Sequence, residues 1–194
     1  GGNATGVSTV YTEMIMKDLE FLHELVPRAR RIIYLTNLSN PGTTLTGQQK
    51  LQEAAATLGV QLVTLSASNA AEIEVAIHRI SRSAGDAVLV TADLFLLANR
   101  QKIAQAVRKA RLPAMFPFKQ YHEVGVLMSY GADYDAGMSQ VATYVDRILK
   151  GAKPSELPIE QVSKYELVVD LRVARELGIE IPQSILVRAD KVIH

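Results

Sequence analysis

Short apolar runs alternate along this chain with stretches of helical period. Arg31 to Thr36, Val60 to Leu65, Asp86 to Thr91, Pro113 to Phe116 and Val124 to Ser129 are brief and nearly uninterrupted, the pattern of strands covered on both faces. Between them apolar residues recur at helical spacing, as in Ile73, Ala76, Ile77, Ile80 and Ala84, or Ile103, Ala104, Val107 and Ala110. The expected fold is therefore α/β, an open and mostly parallel sheet with helices on both faces. A first long helix is expected from about Thr9 to Val26, with Val10, Met14, Leu22, Leu25 and Val26 near one face and Pro27 ending it.

Small residues punctuate this rhythm. Gly59, Gly85 and Gly151 fall just past helical runs, where a left-handed cap is wanted. Asn69 followed by Glu72 has the spacing of a capping box. After Gly151 a turn-rich connector, Lys153 to Pro158, leads to an extended stretch over Val162 to Val169 and a last helix near Leu171 to Leu177, stopped by Gly178. This tail is too short to fold alone, so it must pack on the preceding sheet or on another body.

Composition narrows the functional classes. With 194 residues, 48% of them hydrophobic, the chain can bury a substantial core. A net charge of +1, with both signs interleaved, carries no electrostatic footprint for nucleic acid or an anionic membrane. There are no cysteines, which excludes disulfides, thiolate metal sites and thiol nucleophiles. No apolar run is long enough to span a bilayer, and the first residues lack the pattern of a signal peptide.

In a fold of this kind catalytic and cofactor motifs stand in the turns that follow the strands. The turn after the first strand of the rhythm reads Asn37-Leu38-Ser39-Asn40-Pro41-Gly42, without the glycine pattern that brings backbone against a pyrophosphate. No cofactor is expected. The four histidines are scattered; His122-Glu123 is the best acid/base candidate, and an enzyme reading would rest on His122, Glu123 and Asp93. No nucleophile motif accompanies them. What remains is a set of polar residues at strand ends, where open parallel sheets bind ligands: Asn37, Ser39 and Asn40, then Ser66 and Ser68, then Thr91 and Asp93, with Phe116, Phe118, Ser129 and Tyr130 further along. Such a rim suits a small polar molecule with an apolar or aromatic part. Asp93 is also placed to cap the helix that follows it.

Several segments resemble one family. Gly1-Gly2-Asn3-Ala4-Thr5-Gly6-Val7-Ser8, Tyr34 to Pro41, Asp86 to Val90 with Asp93, Ser129-Tyr130-Gly131-Ala132-Asp133-Tyr134 with Gly137, and Leu177 to Pro182 with Ala189-Asp190 are similar, in order, to elements of bacterial ABC-transporter solute-binding proteins of the type I periplasmic fold. Asp170 departs from the asparagine more usual in the family before the last helix. In the family the glycine-rich segment follows an entire first lobe, so the resemblance implies a fragment: an interlobe hinge segment at 1–10, the main ligand-binding lobe at 11–131, and a crossover helix and tail at 132–194.

The resemblance further implies a receptor outside the cytoplasm, periplasmic or tethered to the membrane, that captures a small-molecule solute in an interlobe cleft and presents it to ABC permease subunits. Aromatic and other amino acids are among the solutes implied. On this reading Ser66, Ser68, Asp93 and Tyr130 form one wall of the cleft, with Asn37, Asn40 and Phe116 near its edge. Asp93 would receive a ligand ammonium, and Tyr130 or Phe116 would flank its apolar part. The exposed cleft face could also drive self-association. The effector domain of a lac-repressor-type regulator shares this architecture and remains the alternative.

Overall fold

Among the described residues seven strands form one sheet, in the order β3 (Gln61–Ser66), β2 (Arg31–Thr36), β4 (Ala87–Val90), β5 (Ala114–Phe116), β6 (Met128–Ala132), β8 (Tyr165–Asp170) and β9 (Lys191–Ile193), and two further strands, β1 (Val7–Ser8) and β7 (Glu160–Gln161), form a separate ribbon. The structure, a computed structural model, describes residues 2–42, 45–82, 85–162 and 164–194, with the backbone alone at 45 and 46. Ala84 and Gly1, which figure in the expectations above, lie outside the described residues.

The first half of the chain follows its apolar rhythm. Helix α1 (Tyr11–Leu25) leads into β2 (Arg31–Thr36), α2 (Leu45–Thr57), β3 (Gln61–Ser66), α3 (Ala70–Ser81) and β4 (Ala87–Val90). Short helices α4 (Leu94–Ala98) and α5 (Arg100–Lys109) then lead to β5 (Ala114–Phe116). All pairs among β2 to β6 are parallel. Strands β2 and β4 lie inside the sheet and bury nearly every residue, which is why both read as unbroken apolar runs rather than alternating ones.

Each face has its own core. One packs Leu19, Leu22 and Leu25 of α1 and Leu51 of α2 against Ile32, Leu89 and Met115. The other packs Ile73, Ala76 and Ile80 of α3 and Ile103 and Val107 of α5 against Ile33, Val88 and Phe116. Ile77 and Ala110, at the margins of those helical stripes, are only partly buried. Helix α3 starts with the expected cap: Asn69 accepts from the amides of Ala71 and Glu72, while the Glu72 carboxylate turns back to Ser68 N and Oγ at 2.8 and 2.9 Å.

A 3-10 turn over Lys119–Val124 displaces the next strand, β6, to Met128–Ala132 instead of Val124 to Ser129. Gly125, at φ +72°, closes that turn. Gly131 lets the shifted strand pass, because a Cβ there would lie 1.8 Å from the Pro117 carbonyl oxygen. Gly59 and Gly151 take the left-handed conformation expected of them, whereas Gly85 does not. Gly85 is instead a point of close approach: a Cβ would come within 2.9 Å of the Arg31 carbonyl oxygen.

The tail returns to the sheet. Helix α6 (Tyr134–Leu149) is followed by β7 (Glu160–Gln161), β8 (Tyr165–Asp170), α7 (Leu171–Leu177), α8 (Gln183–Leu186) and β9 (Lys191–Ile193). Strand β8 runs antiparallel to β6 and carries β9 parallel on its far side. Asp170 is fully buried, caps α7 through the amides of Arg172 and Val173, and pairs with the Arg172 guanidinium at 2.7 Å. The elements α8 and β9 escaped the sequence pattern because each spans only one turn or a few residues.

The ribbon pairs β1 (Val7–Ser8) with β7, Val7 opposite Glu160 and Ser8 opposite Gln161. Thr5 Oγ1 donates to the Leu157 carbonyl at 3.0 Å, and Tyr144 of α6 donates to that of Pro158 at 2.7 Å. Helix α6 buries Gly137 and Tyr144 but leaves Met138, Val145 and Leu149 exposed.

A carboxyl group interrupts the apolar face of α1. Asp18 is 0% exposed, and neither of its oxygens has a hydrogen-bond partner among the described residues. Burial pushes its pKa well above the ordinary carboxylate value. No described helix is long and apolar enough to cross a membrane.

Candidate functional site

The connections from β2 and β4 diverge. From β2 the chain passes through α2 to the edge strand β3, whereas from β4 it passes through α4 and α5 to β5 on the other side. Helix α2 lies on one face of the sheet and α5 on the other. A crevice therefore opens beyond the carboxyl ends of β2 and β4, the position where doubly wound sheets hold ligands. Register brings Thr36 opposite Ser66 and Leu35 opposite Val90, so the ends of β2, β3 and β4 are level.

Asp93 stands at the centre of this crevice, 5% exposed. Its Oδ1 accepts from the Leu96 amide at 3.0 Å and caps α4, as expected. Its Oδ2 accepts from Asn40 Nδ2 at 2.7 Å and from Asn37 Nδ2 at 3.2 Å. Ser66 Oγ accepts from the Leu38 amide at 3.2 Å, tying the same loop to β3. Ser68 stands one step outward with Glu72, whose carboxylate pKa those two hydrogen bonds from Ser68 hold below its ordinary value. The fold thus brings Asn37, Asn40, Ser66 and Asp93 together and sets Ser68 at the margin.

Two aromatic candidates are placed elsewhere. Phe116 is 1% exposed and its ring lies 4.6 Å from that of Tyr121, so it offers no surface to a solute. Tyr130 is half-buried and packs against the α1 core, with ring centroids 5.3 Å from Phe21 and 5.9 Å from Tyr165. That placement has a simple cause: in a strand running to Ala132, Tyr130 pairs with Leu167 and its ring joins the α1 face of the sheet. Burial raises its phenol pKa, with Asp18 adding to the effect.

Other polar groups border the crevice without having been anticipated. Tyr11, at the start of α1, hydrogen-bonds Thr91 at the end of β4. The order of elements could have indicated it, because a helix leading into β2 must begin at the end of the sheet where β2 finishes. Tyr121 is fully buried with its hydroxyl unpartnered among the described residues; burial and then the Asp93 charge push its pKa upward. Nothing in the local sequence marks that residue.

The acid/base candidates do not assemble. His122 Nε2 lies 3.0 Å from Ser129 Oγ, and burial pushes the imidazole down to about 4, so it is neutral at pH 7. Ser129 is 1% exposed, and Glu123 pairs with Arg100 at 3.1 Å instead of joining His122. No group of three or more His, Cys, Asp or Glu side chains suited to a metal occurs among the described residues.

The family model described as ABC transporter substrate binding protein matches residues 1–193. This chain belongs to that family. Among solved structures, a conserved domain protein from Vibrio cholerae is 28% identical to this chain and superposes with a TM-score of 0.87, over 99% of this chain and 64% of its own. The ABC domain from Streptococcus pneumonia, solved in complex with L-Trp, is 28% identical with a TM-score of 0.86, over 100% of this chain and 66% of its own. The chain therefore spans just under two thirds of either. A LacI family transcriptional regulator from Enterococcus faecalis, solved with bound ribose, matches at 15% identity and a TM-score of 0.58 over 86% of this chain and 62% of its own; that likeness shows the fold alone. A comparison with curated proteins gives no match.

Proposed function

We propose that this chain forms one wall of the solute cleft in a receptor that serves an ABC importer, and that the intact receptor delivers a small polar solute to membrane permease subunits from a position outside the cytoplasm. The family match over residues 1–193 carries this reading. The crevice supports it: polar side chains converge at the switch point of the sheet, and the described residues hold no assembled catalytic group. Amino acids are the first solute class to test, since a 28% identical relative was solved with L-Trp.

On this reading Asn37, Asn40, Ser66, Ser68 and Asp93 build the wall, and Phe116 and Tyr130 support it from within the two cores. Residues 1–10 and the strand after α6 serve as crossings to the rest of the receptor, consistent with the pairing of β1 and β7. Beside them a shallow apolar groove of about 100 Å³ runs between Val7, Tyr134, Met138 and Val162. The remainder of a longer receptor would cover that groove and the exposed stripe of α6; without it, self-association through these surfaces is expected. A solute touching both lobes favours the closed state through its differential affinity for that state.

Isothermal titration of the full-length receptor against amino acids and small organic acids, with this chain in parallel, tests the proposal. Saturable binding by the full-length protein and at least tenfold weaker binding by this chain is expected. A folded full-length protein that releases no heat with any of them would refute the amino-acid reading.

A further inference from the structure

The hydrogen bonds around Asp93 divide its carboxylate between two jobs, neither of which leaves it free for a solute. Oδ1 caps α4 through Leu96 N. Oδ2 takes the side-chain amides of both Asn37 and Asn40. Those amides are themselves spent on the loop they belong to: Asn37 Oδ1 accepts from Ser39 N at 3.1 Å, and Asn40 Oδ1 accepts from Gly42 N at 2.8 Å. Each asparagine therefore closes an Asx turn with its oxygen while its nitrogen reaches across to β4. The turn is completed by Asn40 N donating to the Asn37 carbonyl at 3.1 Å.

Three of the about four acceptor positions of the carboxylate are thus occupied, and the side chain is 5% exposed. A solute ammonium reaching Oδ2 would have to displace amides whose removal also releases the loop. We propose that Asp93 is a positioning residue: it holds the 37–42 loop in its binding shape and does not itself contact the solute. What the held loop presents outward is uncharged, namely Leu38, 46% exposed, and the exposed Ser39. Recognition on this side of the crevice then comes from shape and neutral hydrogen bonds, and a charged group of the solute is neutralised elsewhere in the cleft. The inference deepens the solute-receptor reading and rests on it for the solute, but the state of the loop can be measured without one.

Asp93→Asn separates the two jobs. Asparagine is as good an N-cap as aspartate, so α4 keeps its cap, but an amide placed among the Asn37 and Asn40 amides sets donor against donor. Hydrogen exchange of the Ser39 and Gly42 amides, measured on the free full-length protein, should quicken about tenfold, the scale of one lost charge-assisted bond, while core amides of β2 and β4 stay unchanged. Combining Asp93→Asn with Asn40→Asp restores a donor opposite a carboxylate, which can still close the turn with Gly42 N, and should recover most of the protection. For the solute found by titration and its analogue lacking the amino group, affinity should fall by the same factor, about tenfold or more. Unchanged loop exchange in Asp93→Asn would overturn the latch. A loss confined to the amine-bearing solute would overturn the absence of contact. If no solute binds, the exchange result still decides the latch and the failure belongs to the receptor reading.

Discussion

Asp18→Asn should stabilise this protein, and increasingly so as the pH rises. Asp18 is fully buried in α1 with both oxygens unpartnered among the described residues, and burial raises its folded-state pKa well above the ordinary value. An unfolded aspartate releases its proton near pH 4. Above that point the native state holds a proton that the unfolded chain has given up, so the stability present below about pH 4 is lost as pH rises toward the folded value, by about 1.4 kcal/mol per pH unit. At pH 7 the ceiling is about 4 kcal/mol, reached if the carboxyl stays protonated throughout. Asparagine keeps the size and the unpaired polar atoms but does not titrate, so the substitution isolates this cost. Urea unfolding of the two proteins from pH 4 to pH 8 should show near-equal stability at the acid end and a widening gap above it. In thermal unfolding the ceiling corresponds to about 8 to 16 °C for a chain of this size. Parallel stability curves across that range would refute the reasoning, because they would mean that Asp18 ionises in the folded state as easily as in the unfolded one.

Other outcomes follow from the packing and the site. Leu22→Ala empties a position that is 0% exposed in the α1 core and should cost about 2 to 5 kcal/mol in urea unfolding. Gly131→Ala drives a Cβ to within 1.8 Å of the Pro117 carbonyl oxygen, forcing backbone movement; a loss of about 3 kcal/mol or more is expected, and an unchanged midpoint would show that the two segments separate freely. The His122 ring resonances should titrate with a midpoint near pH 4, so acidification between about 6.5 and 4 withdraws stability, because the unfolded imidazole takes up a proton that the buried ring does not; a midpoint near 6.5 would show a solvated ring.

How much of the site was legible depends on distance along the chain. Asp93 was readable as a helix cap because its partner, the Leu96 amide, is three residues away, and the Asn69 cap was readable for the same reason. The bonds from Asn37 and Asn40 to Asp93 cross separations of 56 and 53 residues, and they exist only because β2 and β4 are neighbours in the sheet. Tyr130 illustrates the other limit. Alternate residues of a strand face opposite ways, so the displaced bounds of β6 left open which layer its ring would join, and the pairing of Tyr130 with Leu167 in a strand ending at Ala132 settled it. Neither Gly125 nor Gly131 betrays in isolation that one closes a left-handed turn and the other yields to a carbonyl oxygen.

By itself the sequence determined the class of fold and the family, because strands buried on both faces must be apolar throughout, helices between them must carry a stripe, and both demands are met within a few neighbouring residues. The tertiary structure alone decided which rim residues meet. That choice rests on strand order and on register, set by the summed packing of two cores, and no short stretch of the chain contains it.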